Sequence, residues 1–344
     1  IWTQGALTVA NSVFDSNKAV IDTNSGSGGA IQTAYGANIT ISNSDFTNNS
    51  AAAVGGAIEL HGSGSKIDIS TSNFINNTSS GGGGALAINL DASGVISTSV
   101  FKGNTTSAYT GSSYDKALLS GAGGAIYAAY TDLTINNSTF GGTLDSDANK
   151  AQYGGAIYFS HTQYHGNTGT SSLTINNSDF INNSSSKQGG AIQHDGGVLT
   201  VNGSTFSGNH SNFRGGAIHS MLAGDENIKL IIESSKFLNN WVLSSDSSGW
   251  EGDGGAIYAH NTNTTIKNSL FEGNEVKASS IDNDGGAIIF YQTAGSHNFN
   301  ISSTVFRNNV ARKGRGGAIY SNFLTSSIAV SYTHLRAHET LMNI

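Results

Sequence analysis

Residues 123–143 read GGAIYAAYTDLTINNSTFGGT, and the same phrases return at residues 154–160 as GGAIYFS and at residues 173–183 as LTINNSDFINN. The order is Gly-Gly-Ala-Ile, then an alternating Leu-Thr-Ile, then Ser-x-Phe. A short unit that recurs along a chain is typical of a solenoid, in which each copy buries its apolar face against its neighbours. This repeat therefore decides the fold.

The unit occurs ten times with fixed internal offsets. Its Gly-Gly-Ala-Ile or Gly-Gly-Ala-Leu phrase begins at Gly28, Gly55, Gly83, Gly123, Gly154, Gly189, Gly215, Gly254, Gly285 and Gly316. Its phenylalanine stands at Phe14, Phe46, Phe74, Phe101, Phe140, Phe180, Phe206, Phe237, Phe271 and Phe306. Ser or Thr always lies two residues before this Phe, and Asn lies three residues after it in every copy except that of Phe140, which has Thr143.

The spacing of the compact copies selects the kind of solenoid. These copies are 26 to 28 residues apart, as from Gly28 to Gly55 and from Gly55 to Gly83. That length fits one turn of a parallel β-helix, whereas a propeller blade needs roughly 40–45 residues and a leucine-rich repeat needs a leucine ladder. Parallel crossovers are overwhelmingly right-handed. We predict an all-β, right-handed parallel β-helix of about ten coils, each with three short strands.

Alternation of side chains along a strand assigns faces to the repeated positions. In residues 123–127, Ile126 is predicted to face inward, and Ala125 and Tyr127 to face outward. Columns of Ile, Val and Phe should fill the rod. The Asn after each Phe suits a left-handed turn, and its amide is expected to bond to the Asn residues of the coils above and below.

Residues 1–330 are predicted to form a single β-helix domain, as a fragment that is uncapped at both ends. The repeat stops after Gly316–Ile319, and the chain ends as SYTHLRAHETLMNI. Residues 331–344 resemble translated sequencing-adapter read-through, and we predict a non-native or disordered tail there.

Composition excludes several classes of function. Charged residues are 11% of the chain, the net charge is -7, and no basic run is present, so nucleic acid is not an expected partner. No apolar stretch has the length of a membrane span. The chain has no cysteine, which removes disulfides and thiolate metal sites.

The paired phrases Gly-Gly-Ala-Ile and Phe-x-x-Asn resemble the repeats of chlamydial-type polymorphic outer membrane proteins. The resemblance covers residues 1 to about 320. It implies a pectin lyase-like β-helix that forms the passenger of an autotransporter, is exposed at the bacterial cell surface or secreted, and acts as an adhesin. The partner it implies is a protein or glycan on a host or neighbouring cell.

The acidic residues are the first candidates for a catalytic site, because β-helices also host polysaccharide lyases and glycoside hydrolases. Glu251, Asp253, Asp282 and Asp284 form the best acidic cluster. Asp253 and Asp284 each precede a Gly-Gly-Ala and should stack one coil apart, in a column that begins with Arg214 and ends with Arg315. A surface charge ladder is the favoured interpretation, and a Ca²⁺ site is the alternative.

No other arrangement points to an enzyme. His161 and His165 lie four residues apart in a segment predicted to be a solvated loop, which provides no scaffold for zinc. We therefore predict no catalytic residue, no metal and no cofactor. A carbohydrate-active β-helix enzyme, either a lyase or a hydrolase, remains the alternative function.

Aromatic residues are the better candidates for binding. Tyr127 and Tyr158 follow Gly-Gly-Ala-Ile in adjacent coils and should stack on the outer face, as should the equivalent residues of later coils. Exposed aromatic rings suit sugars and protein partners, although tyrosine also favours strands for structural reasons. The remaining candidates lie in enlarged segments, namely Tyr109, Tyr114, Trp241 and Trp250.

Enlarged segments occur at two corners of the predicted coil. The gaps from Phe101 to Gly123 and from Phe237 to Gly254 are both long and fall at the same corner, and residues 159–172 enlarge a second one. Solenoids usually bind partners on the face that receives insertions.

Overall fold

The computed structural model describes residues 1–20, 26–107, 121–161, 171–221, 228–243, 252–277, 283–293 and 295–322, and the main chain of residues 328–331 and 334–336. The chain winds as a right-handed parallel β-helix, so the predicted fold class is confirmed. Each complete coil has four strands rather than the predicted three, because the chain stays extended for a further two to five residues after the conserved Asn.

The strands stack into four parallel sheets, numbered here in the order in which a coil visits them. Sheet 1 consists of Trp2–Thr3, Ile31–Thr33, Ile58–His61, Leu86–Asn89, Ile126–Ala129, Ile157–Ser160, Ile192–Asp195, Ile218–Met221, Ile257–His260, Ile288–Tyr291 and Ile319–Asn322. Sheet 2 consists of Ala6–Ala10, Asn38–Ser42, Lys66–Ser70, Ser93–Ser97, Asp132–Asn136, Ser172–Asn176, Val198–Asn202, Lys229–Glu233, Asn263–Lys267, Phe299–Ser302 and Ile328–Ser331.

The other two sheets have shorter strands. Sheet 3 consists of Val13–Asp15, Asp45–Thr47, Asn73–Ile75, Val100–Lys102, Thr139–Gly141, Asp179–Ile181, Thr205–Ser207, Lys236–Leu238, Leu270–Glu272, Val305–Arg307 and His334–Arg336. Sheet 4 consists of Lys18–Ala19, Ser50–Ala51, Thr78–Ser79, Thr105–Thr106, Lys150–Tyr153, Ser184–Gln188, His210–Ser211, Trp241–Val242, Glu275–Val276 and Val310–Ala311. A 3-10 helix at Asp145–Asp147 is the one helix in the described part of the chain.

Identical residues meet across the coils because the register aligns the repeated phrases. Leu133 pairs with Leu173, and Phe140 pairs with Phe180. The ten phenylalanine rings form one continuous stack with centroids 4.6 to 4.9 Å apart and ring planes within 9° of parallel. The predicted columns of Phe and Ile are therefore confirmed, and they fill a single core along the rod.

The outward position predicted for Ala125 is wrong. The amides of Ala125 and Ile126 both donate to the carbonyl of Ala156, each at 2.9 Å, so the alternation of the strand is interrupted and both side chains lie in the core. The preceding Gly123 has a φ of +65°, and a Cβ on Gly124 would collide with the backbone of Gly155 in the next coil. The two glycines thus allow the turn and the close approach of coils.

Asparagine forms the predicted ladder, but the left-handed residue lies one position earlier than expected. Asn48 has a φ of +55°, whereas the following Asn49 is fully buried. The Nδ2 of Asn49 donates to Asn77 Oδ1 at 3.0 Å and to the carbonyl of Phe14 at 2.8 Å, and Asn77 Oδ1 also accepts the main-chain N–H of Asn49. Each amide therefore satisfies backbone groups that the turn leaves without partners.

The copy that has Thr143 in place of Asn keeps the ladder because an insertion brings a later Asn into the ladder position. The 3-10 helix at Asp145–Asp147 follows Thr143, and Asn149 then occupies the ladder position. Asn104 Nδ2 donates to Asn149 Oδ1 at 3.0 Å, and Asn149 Nδ2 donates to Asn183 Oδ1 at 2.9 Å. The insertion of residues 143–148 thus interrupts the sequence pattern but not the hydrogen-bond pattern.

We expect Phe180→Ala to lower the free energy of unfolding by roughly 3–5 kcal/mol, because Phe180 is fully buried and its ring is stacked on both sides. Asp179→Ala, one residue earlier and exposed, is the control and should cost less than about 0.5 kcal/mol. Denaturant titration of both variants gives the two values. A cost below about 1 kcal/mol for Phe180→Ala would contradict the core described here.

Candidate functional site

The longest connections all border sheet 1. Residues 107–125 and 243–256 join sheet 4 to sheet 1, and residues 161–171 join sheet 1 to sheet 2. The two corners predicted to be enlarged therefore lie at the two ends of the strands of sheet 1, and these two sides are called the edges of sheet 1 below. Of the predicted binding residues, Tyr109, Tyr114 and Trp250 lie outside the described residues, as does His165.

Tyr127 and Tyr158 stack as predicted, with ring centroids 5.6 Å apart and planes 11° from parallel. The expectation that Tyr127 faces solvent is wrong, because only 6% of its surface is exposed. Its ring packs outside sheet 1 in a second apolar cluster that includes Val54 and Ala122. A Cβ on Gly82 would lie 2.8 Å from this ring, so the segment around Gly82 in the preceding coil packs closely against it. Binding by Tyr127 and Tyr158 therefore stays a prediction. The Tyr127 ring has no open face on which a ligand could stack.

The later residues of the same column are also covered. His219 is fully buried, and Tyr258 is 2% exposed. Their rings stack with centroids 5.0 Å apart, and the guanidinium of Arg214 lies 4.9 Å from the Tyr258 ring centroid. The solvent-facing position predicted for this column is wrong here too, because sheet 1 carries a second layer of side chains over its outer face.

A buried polar network connects the aromatic residues of this face. Tyr158 donates its hydroxyl to Asp195 Oδ2 at 2.7 Å, and Gln193 Nε2 donates to Asp195 Oδ1 at 2.6 Å. The same Nε2 lies 2.9 Å from His219 Nδ1. Sequence reasoning missed Asp195 and Gln193. The signal was present, because Gln193 and His219 follow Tyr158 in the column of residues after Gly-Gly-Ala-Ile.

Burial controls the ionisation of this network. It raises the pKa of Asp195 to about 6, although the hydrogen bonds from Tyr158 and Gln193 oppose the shift. Burial, together with the nearby charge of Arg214, holds the pKa of His219 well below its usual range. Asp195 is thus a carboxylate held by two neutral donors, and its protonation is favoured as the pH falls toward 6 and below.

The acidic residues predicted to stack do so. Asp253 Oδ1 accepts the main-chain N–H of Asp284 at 3.0 Å, and Arg214 and Arg315 extend the column at its two ends. Arg315 Nη2 lies 2.7 Å from Asp284 Oδ2, and Arg214 Nε lies 3.9 Å from Asp253 Oδ2. The column of charges is therefore confirmed, but its surface position is wrong, because Asp253 and Asp284 are buried.

Glu251 and Asp282, the other two acids of the predicted cluster, lie outside the described residues. Within the described ranges, no group of three or more His, Asp or Glu side chains is placed to hold a metal ion. The Ca²⁺ alternative consequently has only Asp253 and Asp284 to consider here, and their carboxylates already accept backbone amides and face arginines.

Trp241 lies in sheet 4, not in the enlarged segment to which the sequence assigned it. Its indole stacks on His210 of the preceding coil at 4.2 Å, and Lys277 Nζ of the following coil lies 3.9 Å from the ring centroid. The side chain is half-buried. Both faces of the indole are covered, so a ligand would meet only its edge.

His161 is buried rather than solvated, which corrects the sequence-based expectation. It is 6% exposed, its Nδ1 lies 2.9 Å from Ser171 Oγ, and its ring lies 5.7 Å from that of Tyr130. It follows directly on the strand Ile157–Ser160 and packs against Tyr130 of the second apolar cluster.

Repeats described as Chlamydia polymorphic membrane protein repeats match the chain at five places, residues 43–59, 98–129, 177–195, 203–221 and 303–322. Each of these segments contains both the repeated Phe and the Gly-Gly-Ala phrase, so the match confirms the resemblance seen in the repeated unit. No curated protein matches the chain. Among the described residues there is no helix with the length and apolarity needed to cross a membrane.

Stability should depend on pH through Asp195. Because its folded pKa of about 6 exceeds its ordinary 3.8, the folded state binds the proton more tightly, and stability falls as the pH rises from about 4 to about 6. The shift corresponds to about 3 kcal/mol. We expect Asp195→Asn to remove this dependence and to stabilise the fold at pH 7.

The measurement is the free energy of unfolding at pH 4, 5, 6 and 7 for the wild type and Asp195→Asn. Asp179→Asn changes an exposed carboxylate and serves as the control, which should keep the wild-type dependence on pH. Equal pH dependence in the wild type and Asp195→Asn would show that the Asp195 carboxyl does not titrate in this range.

Proposed function

We propose that this chain is part of a surface-exposed β-helical passenger of a bacterial autotransporter, and that it acts in adhesion by displaying the segments that border sheet 1. The expected location is the bacterial cell surface, the outer membrane or the extracellular space. The expected partner is a protein or glycan on a host or neighbouring cell. The single observation that carries the proposal is the recurrence of polymorphic membrane protein repeats at five places along one uninterrupted rod.

The distribution of regular and variable parts supports a display role. The corner between sheets 2 and 3 is short in every coil, and it is fixed by a serine column in which Ser138 N–H donates to Ser178 Oγ at 3.1 Å. Variation in length is instead concentrated at the two edges of sheet 1. A rigid rod with variable segments on one side is a suitable scaffold for recognition.

The alternative function, a carbohydrate-active enzyme, has less support. The matching repeat is that of a family of surface proteins that are not enzymes. Asp253 and Asp284 are 4% and 3% exposed, and their carboxylates accept backbone amides. A glycoside hydrolase needs two carboxyl groups that both reach the substrate.

The experiment compares cell binding by the whole chain and by two loop-replacement variants. Beads coated with the protein are counted on cultured epithelial cells. In the first variant, residues 108–120 and 244–251 are replaced by short Gly-Ser linkers. In the second, the matched control, residues 143–148 at the corner between sheets 3 and 4 are replaced in the same way.

We expect the wild type and the control to bind cells and the first variant to lose at least nine-tenths of the binding, because it lacks the segments at the edge of sheet 1. Equal loss in both variants, or no binding by the wild type, would contradict the proposal. Release of reducing ends from polysaccharide, abolished by Asp253→Asn, would instead favour the enzyme.

A further inference from the structure

Tyr35, which sequence reasoning did not single out, has an exposed aromatic ring and stands three residues before Asn38, a residue that lines a surface concavity. Tyr35 is 62% exposed, and Trp2 in the first coil is the other strongly exposed aromatic residue in the described ranges. Tyr35 lies at the corner between sheets 1 and 2, just after the strand Ile31–Thr33. A large apolar ring left in solvent beside polar side chains is a feature of ligand-binding surfaces.

The Tyr35 ring is held in place without being buried. It lies directly against Gly62 of the next coil, where φ is +94° and a Cβ would collide with the ring carbons. His61 meets it edge-on, with centroids 5.2 Å apart and planes at 84°. A ring whose orientation is already fixed loses little conformational entropy when a ligand stacks on it.

A hydrogen-bonded polar group on the outer face of sheet 1 adjoins His61. Glu59 is 7% exposed, its Oε2 accepts Gln32 Nε2 at 2.9 Å, and its Oε1 lies 3.8 Å from His61 Nδ1. Of these side chains, His61 meets the Tyr35 ring, and Glu59 lies beside the imidazole.

The turn that contains Tyr35 is bare and runs on to Asn38, which lines a groove. Gly36 and Gly64 have φ values of +75° and +77°, and a Cβ on Gly36 would meet no atom within 4 Å. Past these glycines, the outer face of sheet 2 has a concavity of about 330 Å³. Its lining includes Asn38, Thr40, Lys66, Asp68, Val95 and Asp132.

One strand of sheet 2 at the groove departs from the repeat. Gly94 occupies the position that Ile39, Ile67 and Leu133 fill in neighbouring coils, so one strand of sheet 2 lacks a core side chain. A Cβ on Gly94 would lie 2.9 Å from Ile67 Cγ2, which shows that neighbours close in over the missing side chain. Val95, 42% exposed, contributes an apolar floor between charged residues.

We propose that Tyr35 and the sheet 2 groove form a saccharide-binding site, in which one pyranose ring stacks on Tyr35 and the following sugar units lie in the groove. The C–H groups of a pyranose face carry partial positive charge and pack on the negative face of an aromatic ring. Its hydroxyls bond to the amide, carboxylate and ammonium groups along the path. This inference rests on the proposed adhesive function and names a glycan as the ligand.

The test is a titration of the whole chain, labelled with ¹³C in its tyrosine rings, and followed by NMR. The probes are the methyl glycosides of galactose, mannose and N-acetylglucosamine, and the β1,4-linked tetrasaccharide of N-acetylglucosamine. We expect at least one probe to shift the Tyr35 resonances. Tyr35→Ala should weaken its binding at least tenfold, and Asp68→Ala should weaken binding of the tetrasaccharide alone.

Tyr291→Ala is the matched control. Tyr291 also meets a histidine edge-on, His260 at 5.3 Å and 65°, but it is half-buried and lies far along the rod. Binding by this variant should stay within twofold of wild type. If no probe shifts Tyr35, or if Tyr35→Ala binds as well as wild type, the saccharide site is wrong.

Cell binding distinguishes this inference from the proposed function. If the wild type binds cells but no sugar, the site fails while adhesion stands. If the wild type binds no cells, adhesion fails. If Tyr35→Ala loses cell binding although enzymatic removal of cell-surface glycans has no effect, the site recognises a protein and the saccharide assignment is overturned.

Discussion

The buried asparagine ladder is the interaction on which the rest of this structure depends. Each coil must leave sheet 3 through a tight turn, and that turn leaves backbone groups inside the rod where water cannot reach them. Asn183 accepts the N–H of Asn149 and donates both to the carbonyl of Phe140 and to Asn209 Oδ1. Because every rung uses the coils on both sides, the ladder fixes the register of the strands, and the phenylalanine stack follows from that register.

A fixed register inside the rod permits variation outside it. The serine column holds the corner between sheets 2 and 3, and the ladder accommodates one insertion, residues 143–148, at the corner between sheets 3 and 4. The longest connections lie instead at the edges of sheet 1. There the outer face gains a second covered layer, in which Tyr127 and Asp195 are buried and Tyr158 is half-buried between neighbouring coils. The same rod therefore offers a regular side and a variable side, as recognition from a rigid scaffold requires.

The columns and the ladder could be predicted from the sequence because they are periodic. The predictions that were wrong concern single side chains, whose exposure depends on local contacts. Ala125 was assigned outward because strict alternation was assumed, whereas two amides share the carbonyl of Ala156. The position of Tyr127 could not be predicted because alternation separates core side chains from outward ones. It does not show whether other segments of the same chain cover an outward side chain. Tyr35 lies in a turn outside every repeated phrase, so its platform against Gly62 became visible only with the contacts between coils.

The most direct test of the central claim is hydrogen exchange of asparagine side-chain amides, followed by NMR on selectively labelled protein. The ladder residues Asn77, Asn104, Asn183 and Asn209 are fully buried and should exchange only through global unfolding. The half-buried Asn176 and Asn202 of sheet 2 should exchange much faster. If the ladder amides exchanged as fast as those of Asn176 and Asn202, the ladder would not be the constraint that holds the coils in register.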